Sequence, residues 1–427
     1  MKTKILSQPR SESFESKRPV PRSECEFRRS HFLRIPACAE ASAGGPALGI
    51  PGILGAALLV IVLGLAGPAF AQRLVSPEVQ SDGRVTFRLK APEAKDVLVH
   101  CEGVQASRMQ KDDQGVWSLT SEPLEPDIYA YSFAVDGVRC IDPGNPLLKY
   151  NLLNTDSQVR VPGPVSLPWE INDVPHGQLH RHLYHSAVAA DDRDFYVYTP
   201  PGYEPGVGKR YPVLYLLHGY SDDATAWVGV GCANIILDNL IARKQAKPMI
   251  LVMPLGYGTM EVVRAGWGGV RRGDVWQENM DKFRQTLLDE VMPQVEKAYR
   301  VLPTAKARAI AGLSMGGSES LLVGLNALDR FAWIGAFSSG GLGTNLAAQF
   351  PALDEKANTQ LRLLWIGCGE QDGLFPANQK LSEWLKSKGI RHTWVQTSGQ
   401  HSFRLWRRFL AQSAPLLFQE KSQDVSR

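Results

Sequence analysis

Ser314, Asp372 and His401 are three side chains whose types, order and surroundings amount to chemistry. Ser314 is the centre of Gly312-Leu313-Ser314-Met315-Gly316, where an apolar run ends and a helical pattern begins. A strand-to-helix turn this tight has no room for side chains beside the serine, so Gly312 and Gly316 keep the space empty while the hydroxyl projects. A serine hydroxyl is a weak nucleophile at neutral pH. It needs a histidine base, a carboxylate behind the histidine and donors for the oxyanion, and with them it performs acyl transfer.

His401 stands in Ser398-Gly399-Gln400-His401-Ser402-Phe403, a loop ahead of a final helix. Asp372 follows the apolar run Leu361 to Gly367 within Cys368-Gly369-Glu370-Gln371-Asp372-Gly373. The carboxyl end of a late strand is where the triad acid belongs, so Asp372 is assigned and Glu370 is its rival. Serine, aspartate, histidine is the hydrolase order. A further histidine, His218, ends the run Tyr211 to Leu217 and is read as fixing its loop rather than as the base. The loop after that strand supplies one oxyanion donor and the residue after the nucleophile the other, which selects the backbone N–H groups of Tyr220 and Met315.

These groups require a sheet of buried strands with helices between them. Tyr211 to Leu217 and Pro248 to Met253 are nearly continuous apolar runs, as strands covered on both faces should be. Helical spacing recurs over Ala233 to Arg243, Asn279 to Tyr299, Ser318 to Leu328 and Pro376 to Lys388. Leu255 to Gly273 is glycine-rich and aperiodic, carries Tyr257 and Trp267 with Trp276 just beyond, and is expected either over the site or as a surface loop.

Ahead of this region, residues 73–168 show short alternating segments at Val85 to Leu89, Val97 to His100, Val116 to Leu119 and Tyr129 to Val135. That spacing predicts an all-β sandwich, and Asp136-Gly137 predicts a hairpin. Sugar binding there would need Trp117, Tyr129 and Tyr131 exposed on one face; otherwise they fill the core. Residues 169–178 are read as a linker and 179–419 as the hydrolase domain. His176, His180, His182 and His185 flank an edge strand with no cysteine or carboxylate to complete a site, so no metal is assigned.

The formal charge of +4 sits at the N-terminus: residues 1–71 hold nine Lys/Arg against five Asp/Glu, leaving 38 against 38 beyond them. A balanced chain gives no electrostatic reason to expect nucleic acid as a partner. Gly49 to Ala66 is apolar and uncharged, and Gly67-Pro68-Ala69-Phe70-Ala71-Gln72 has the small-x-small form of a signal cleavage site, with cutting expected after Ala71. A twin-arginine signal at Arg28-Arg29 and an uncleaved membrane anchor are the alternatives, so the protein is expected to be secreted or periplasmic, or membrane-anchored with its globular part outside the cytoplasm. Cys101 and Cys140 share the small domain and could pair in an oxidising compartment; Cys232 and Cys368 are read as buried thiols.

Tyr198-Thr199-Pro200-Pro201-Gly202-Tyr203, Leu216-Leu217-His218-Gly219, Ala309 to Gly317, Cys368-Gly369 with Asp372, and Gly399-Gln400-His401 together resemble the esterase D superfamily. Carbohydrate esterase family 1, the feruloyl and acetylxylan esterases, is the part of it they match best. The stretch through Asp142-Pro143-Gly144-Asn145-Pro146 resembles early-set immunoglobulin-like modules related to glycogen-binding domains. The resemblance implies an α/β-hydrolase fold behind a small immunoglobulin-like sandwich, and metal-free, cofactor-free hydrolysis of a carboxylic ester on a decorated plant polysaccharide or a small ester. A mycolyltransferase-type acyltransferase, a siderophore esterase and a non-catalytic carbohydrate-binding protein are the alternatives.

Overall fold

The computed structural model describes residues 74–206, 208–268 and 272–419. The leader, its cleavage site and the anchor alternative lie outside the described residues.

Alternation of apolar and polar residues builds the first part. Val85–Lys90 and Val116–Thr120 pair antiparallel in a four-stranded sheet, and Val97–Cys101, Asp127–Val135 and Asp156–Val161 form the centre of a six-stranded one. The two sheets close on one core that includes Val85, Phe87, Val97, Val99 and Phe133. Trp117, Tyr129 and Tyr131 are 5%, 2% and 1% exposed and belong to that core, which removes them as a sugar-binding face. Asp136 and Gly137 turn the predicted hairpin with φ of 47° and 83°, the left-handed values a two-residue loop demands.

Cys101 and Cys140 are free thiols. Cys101 lies opposite Tyr131 and Cys140 opposite Phe133, so the strand Asp127–Val135 runs between them. Two inter-strand spacings amount to roughly 9–10 Å, beyond the ~7 Å that a disulfide can bridge. Cys232 and Cys368 are buried, as read.

The second part is an eight-stranded sheet in the order Gln178–Ser186, Asp191–Thr199, Ile250–Pro254, Val213–Leu217, Arg308–Leu313, Trp333–Phe337, Leu363–Gly369, Thr393–Thr397. The first two strands run antiparallel and the six from Ile250–Pro254 onward run parallel. Every residue of Val213–Leu217, Ile250–Pro254 and Arg308–Leu313 is buried, because helices cover both faces. Ala233–Ala242 and Phe403–Ser413 pack on one side; Gly273–Gln285, Met292–Ala298 and Phe375–Ser387 pack on the other. The helix expected from Asn279 begins at Gly273 and passes through a π-helical segment at Thr286–Val291.

The chain lays down Val213–Leu217, then Ile250–Pro254 on one side of it, then Arg308–Leu313 on the other. That reversal opens a crevice at the carboxyl ends of Val213–Leu217 and Arg308–Leu313, where open α/β sheets bind ligands. The stretch read as a linker is packed rather than loose: Trp169 is 4% exposed and the Asn239 amide donates to the carbonyls of Pro168 and Glu170 at 2.8 Å.

Candidate active site

Ser314 sits in the crevice between Arg308–Leu313 and the helix Met315–Leu325, with φ 52° and ψ −116°. A non-glycine residue in that region is strained, and neighbouring structure must hold it there. The two pentad glycines allow it. A Cβ on Gly312 would stand 2.4 Å from the Gly316 carbonyl oxygen, and one on Gly316 would stand 2.4 Å from that of His218.

The structure brings Ser314, His401 and Asp372 together. His401 Nε2 is 3.0 Å from Ser314 Oγ, and Nδ1 is 2.8 Å from Asp372 Oδ2. A carboxylate can only accept, so Nδ1 carries the proton and Nε2 turns its lone pair to the hydroxyl. The imidazole meets the Trp406 ring nearly perpendicular, 4.8 Å between centroids at 88°. Burial alone would raise the Asp372 pKa, but the hydrogen bond and charge of His401, with the Leu374 N–H donating at 2.8 Å, hold it below the usual value. Glu370, the rival, is exposed and accepts from Gln396 at 3.0 Å.

His218 is fully buried at the back of the crevice. Its Nδ1–H donates to the Gly219 carbonyl at 2.8 Å and its Nε2 accepts from the Gly256 N–H at 2.8 Å. Desolvation lowers its pKa to about 4, so it is a neutral, doubly bonded strut for the turn it begins. That turn, Gly219 to Asp222, is closed by the Asp222 N–H donating to the Gly219 carbonyl at 3.2 Å. Tyr220 and Met315 both line the crevice beside Ser314. Met315 is the first residue of its helix, where backbone N–H groups have no intrahelical partner.

Around these groups lies a cavity of about 460 Å³ whose wall is aromatic: Tyr220, Trp267, Trp276, Phe403 and Trp406. Trp267 packs on Tyr220 at 4.8 Å, and Trp276 Nε1 donates to the Gly341 carbonyl at 3.1 Å. The glycine-rich stretch therefore does reach the site. Sequence reasoning missed the polar residues Lys149, Asn151, Ser221 and Asp222 of this cavity. Ser221 and Asp222 directly follow the predicted donor Tyr220 and were within reach of the motif; the other two come from the sandwich, with no local signal.

The histidine cluster disperses onto separate partners. His176 meets Asp238 at 2.9 Å, His182 meets the Tyr299 hydroxyl at 2.6 Å and stacks on Phe195, and His185 meets Asp192 at 2.9 Å. Among the described residues no three His, Cys, Asp or Glu side chains gather as metal ligands would.

Residues 186–417 match the family described as "Putative esterase". A curated relative, an endo-1,4-beta-xylanase/feruloyl esterase of Xylanibacter ruminicola, is 31% identical over 353 residues, 80% of this chain and 46% of that protein. An esterase of Mycobacterium tuberculosis is 28% identical over 182 residues, 39% of this chain and 36% of its own. The chain thus spans less than half the length of either relative. Among solved structures, the enterobactin esterase of Shigella flexneri aligns with a TM-score of 0.60 at 22% identity, covering 80% of this chain and 96% of that one. A family CE1 ferulic acid esterase of Anaeromyces mucronatus aligns at 0.50 and 23% identity, covering 58% and 93%. These two likenesses speak for the fold, an α/β-hydrolase sheet, with antiparallel sheets ahead of it in this chain. With half the chain inside one family match and the pentad serine at its crevice, the chain belongs to the esterase family, whose chemistry is carboxylic ester hydrolysis.

Proposed function

We propose that this chain is a serine esterase that removes feruloyl or related hydroxycinnamoyl groups from plant polysaccharide, with Ser314, His401 and Asp372 as triad. The aromatic cavity beside Ser314 carries the choice of acyl group. An acetyl group would leave five aromatic side chains idle, whereas a hydroxycinnamoyl ring packs among them, each well-placed aromatic pair adding about 0.5–1.5 kcal/mol beyond burial. The relative named a xylanase/feruloyl esterase supports the same substrate class.

In this reading His401 Nε2 takes the Ser314 proton as the hydroxyl attacks the ester carbonyl. The negative charge that forms on the carbonyl oxygen is received by the N–H groups of Tyr220 and Met315. Asp372 keeps the imidazole in the required tautomer and stabilises its cation. The protonated His401 then gives its proton to the departing sugar oxygen, which leaves as the alcohol, and water, activated in the same way, releases the acid. The leader read at residues 1–71 supports action outside the cytoplasm on an extracellular polymer.

Ser314→Ala should fold normally and lose turnover of p-nitrophenyl acetate; wild-type rates in that variant would defeat the mechanism. Ferulate release from methyl ferulate should exceed acetate release from acetylated xylan in kcat/KM. The reverse order would overturn the acyl assignment and leave an acetyl esterase.

A further inference from the structure

We propose that the β-sandwich holds the oxyanion turn of the hydrolase in place, and that Asn151 is a positioning residue for acyl transfer at Ser314. The inference rests on ester hydrolysis at Ser314, not on which acyl group is removed.

Asn151 lies between the sandwich strands Leu148–Lys149 and Asp156–Val161. All four hydrogen-bonding positions of its amide are used. Oδ1 accepts from the N–H groups of Leu153 and Asn154, both at 3.0 Å, which makes a rigid local turn. Nδ2 donates to Ser221 Oγ and to Asp222 Oδ1, both at 2.9 Å. Two backbone donors on one side and a carboxylate on the other fix which end of the amide is nitrogen. Next to it, the Leu152 N–H donates to the Ser221 carbonyl at 2.7 Å. Leu153 packs against the cluster of Tyr257, Val262 and Met315.

Three hydrogen bonds from the sandwich thus end on Ser221 and Asp222, directly after Tyr220. Ser221 has φ of 69°, a left-handed conformation that a serine leaves readily unless held. Relaxation of that residue would turn the Tyr220–Ser221 peptide and, through the Tyr220 backbone, loosen the preceding Gly219–Tyr220 peptide whose N–H is aimed at the oxyanion. From within the hydrolase, the turn is held by the Tyr257 hydroxyl donating to the Asp222 carbonyl at 3.1 Å and by His218 on the Gly219 carbonyl. Those two grip its ends, and the Tyr220 hydroxyl donates to the Val262 carbonyl at 3.0 Å; the sandwich adds its three bonds on Ser221 and Asp222, next to the donor residue. The sandwich therefore acts on the chemical step itself, not only on a polymer passing over it.

The test uses the full chain and p-nitrophenyl acetate, an ester with no sugar for a carbohydrate-binding module to hold. Asn151→Asp retains the oxygen that accepts from Leu153 and Asn154, so the strap keeps its turn, but it replaces two donors with an acceptor facing Asp222. Asn151→Ala removes both functions. In each variant kcat should fall about 10- to 100-fold, as for a misplaced oxyanion donor, while KM stays within about two-fold. Ser221→Ala, which deletes one acceptor only and is the mildest change, should lose kcat by a smaller factor. Tyr150→Ala, on the same strap and 55% exposed, should match wild type. An unchanged kcat in Asn151→Asp, or a loss seen only on feruloylated xylan, overturns the proposal and makes the sandwich a polymer-binding appendage. Neither result bears on the acyl assignment, which the methyl ferulate comparison decides.

Discussion

Arg407 and Asp127 stand 280 residues apart in the chain, yet the guanidinium of one donates to the carboxylate of the other at 2.7 Å. The two side chains are 1% and 0% exposed. Arg407 also donates to the carbonyls of Val230 and Ile128 at 2.9 and 2.8 Å, so it ties the last helix of the hydrolase to both parts of the chain. Arg408 and Arg404 approach the second carboxylate oxygen at 3.2 and 3.5 Å. Asp127→Ala leaves a buried guanidinium without its counter-charge, which should cost about 3–5 kcal/mol. Urea denaturation should show that loss in a single shared transition for sandwich and hydrolase. Two separate transitions in the wild type would contradict it.

Asp372 and Glu370 make opposite predictions. Asp372→Asn preserves shape but reverses the preference that puts the His401 proton on Nδ1, and should lower kcat on p-nitrophenyl acetate by about 10⁴-fold. Glu370→Gln removes a charge from an exposed side chain bonded only to Gln396 and should stay within about two-fold of wild type. Equal losses in the two variants would reopen the choice of acid.

The parts of this fold legible in the sequence are those dictated by neighbours along the chain. Buried strands appear as unbroken apolar runs, and Gly312 and Gly316 announce a turn that backbone sterics impose locally. What stayed hidden depends on how distant segments dock. No spacing rule brings Asn151 to Asp222, because that contact is set by the seating of one domain on the other. The proximity of Cys101 and Cys140 in sequence conceals the strand between them. Tyr129 and Tyr131 alternate in the same way whether their face meets water or a second sheet, so the pattern alone leaves their burial open. The helix at Gly273–Gln285 begins inside a glycine-rich stretch, where composition masks its N-terminus.

Asp222 carries a pH signature. Burial, the largest influence, pushes its carboxyl from the ordinary 3.8 up to about 6, against the opposing effects of Lys149 and Asn151. The folded protein then holds this proton more tightly than the unfolded chain. Stability contributed by the protonated form is complete below the unfolded value and is lost as pH rises through the folded one, a change on the order of 3 kcal/mol. Asn at 222 cannot titrate and still offers Oδ1 to Asn151. Asp222→Asn should therefore melt close to wild type near pH 4 and above it near pH 7. Parallel melting curves across that range would show that Asp222 does not titrate between them.

Glu319 presents the same physics on the nucleophile helix. It is 1% exposed, and neither carboxyl oxygen has a hydrogen-bond partner among the described residues. It stands across Gly256 from His218: a Cβ on Gly256 would lie 3.4 Å from Glu319 Oε2 and 3.2 Å from His218 Nε2. Desolvation raises its pKa well above the ordinary 4.5, so the group is buried as the neutral acid. The unfolded chain ionises freely above 4.5, and the wild type should lose stability steadily as pH rises from there. Glu319→Gln keeps the volume and removes the proton linkage, so the two proteins should be similar near pH 4 and the variant more stable near pH 8. Glu319→Ala, by contrast, opens a cavity beneath the turn at Ser314 and should lose about 2–4 kcal/mol near pH 4, a deficit that narrows as pH rises because this variant has no buried carboxyl to ionise. A Gln variant less stable than wild type at pH 8 would mean that Glu319 is ionised in the fold, with a partner that holds its charge.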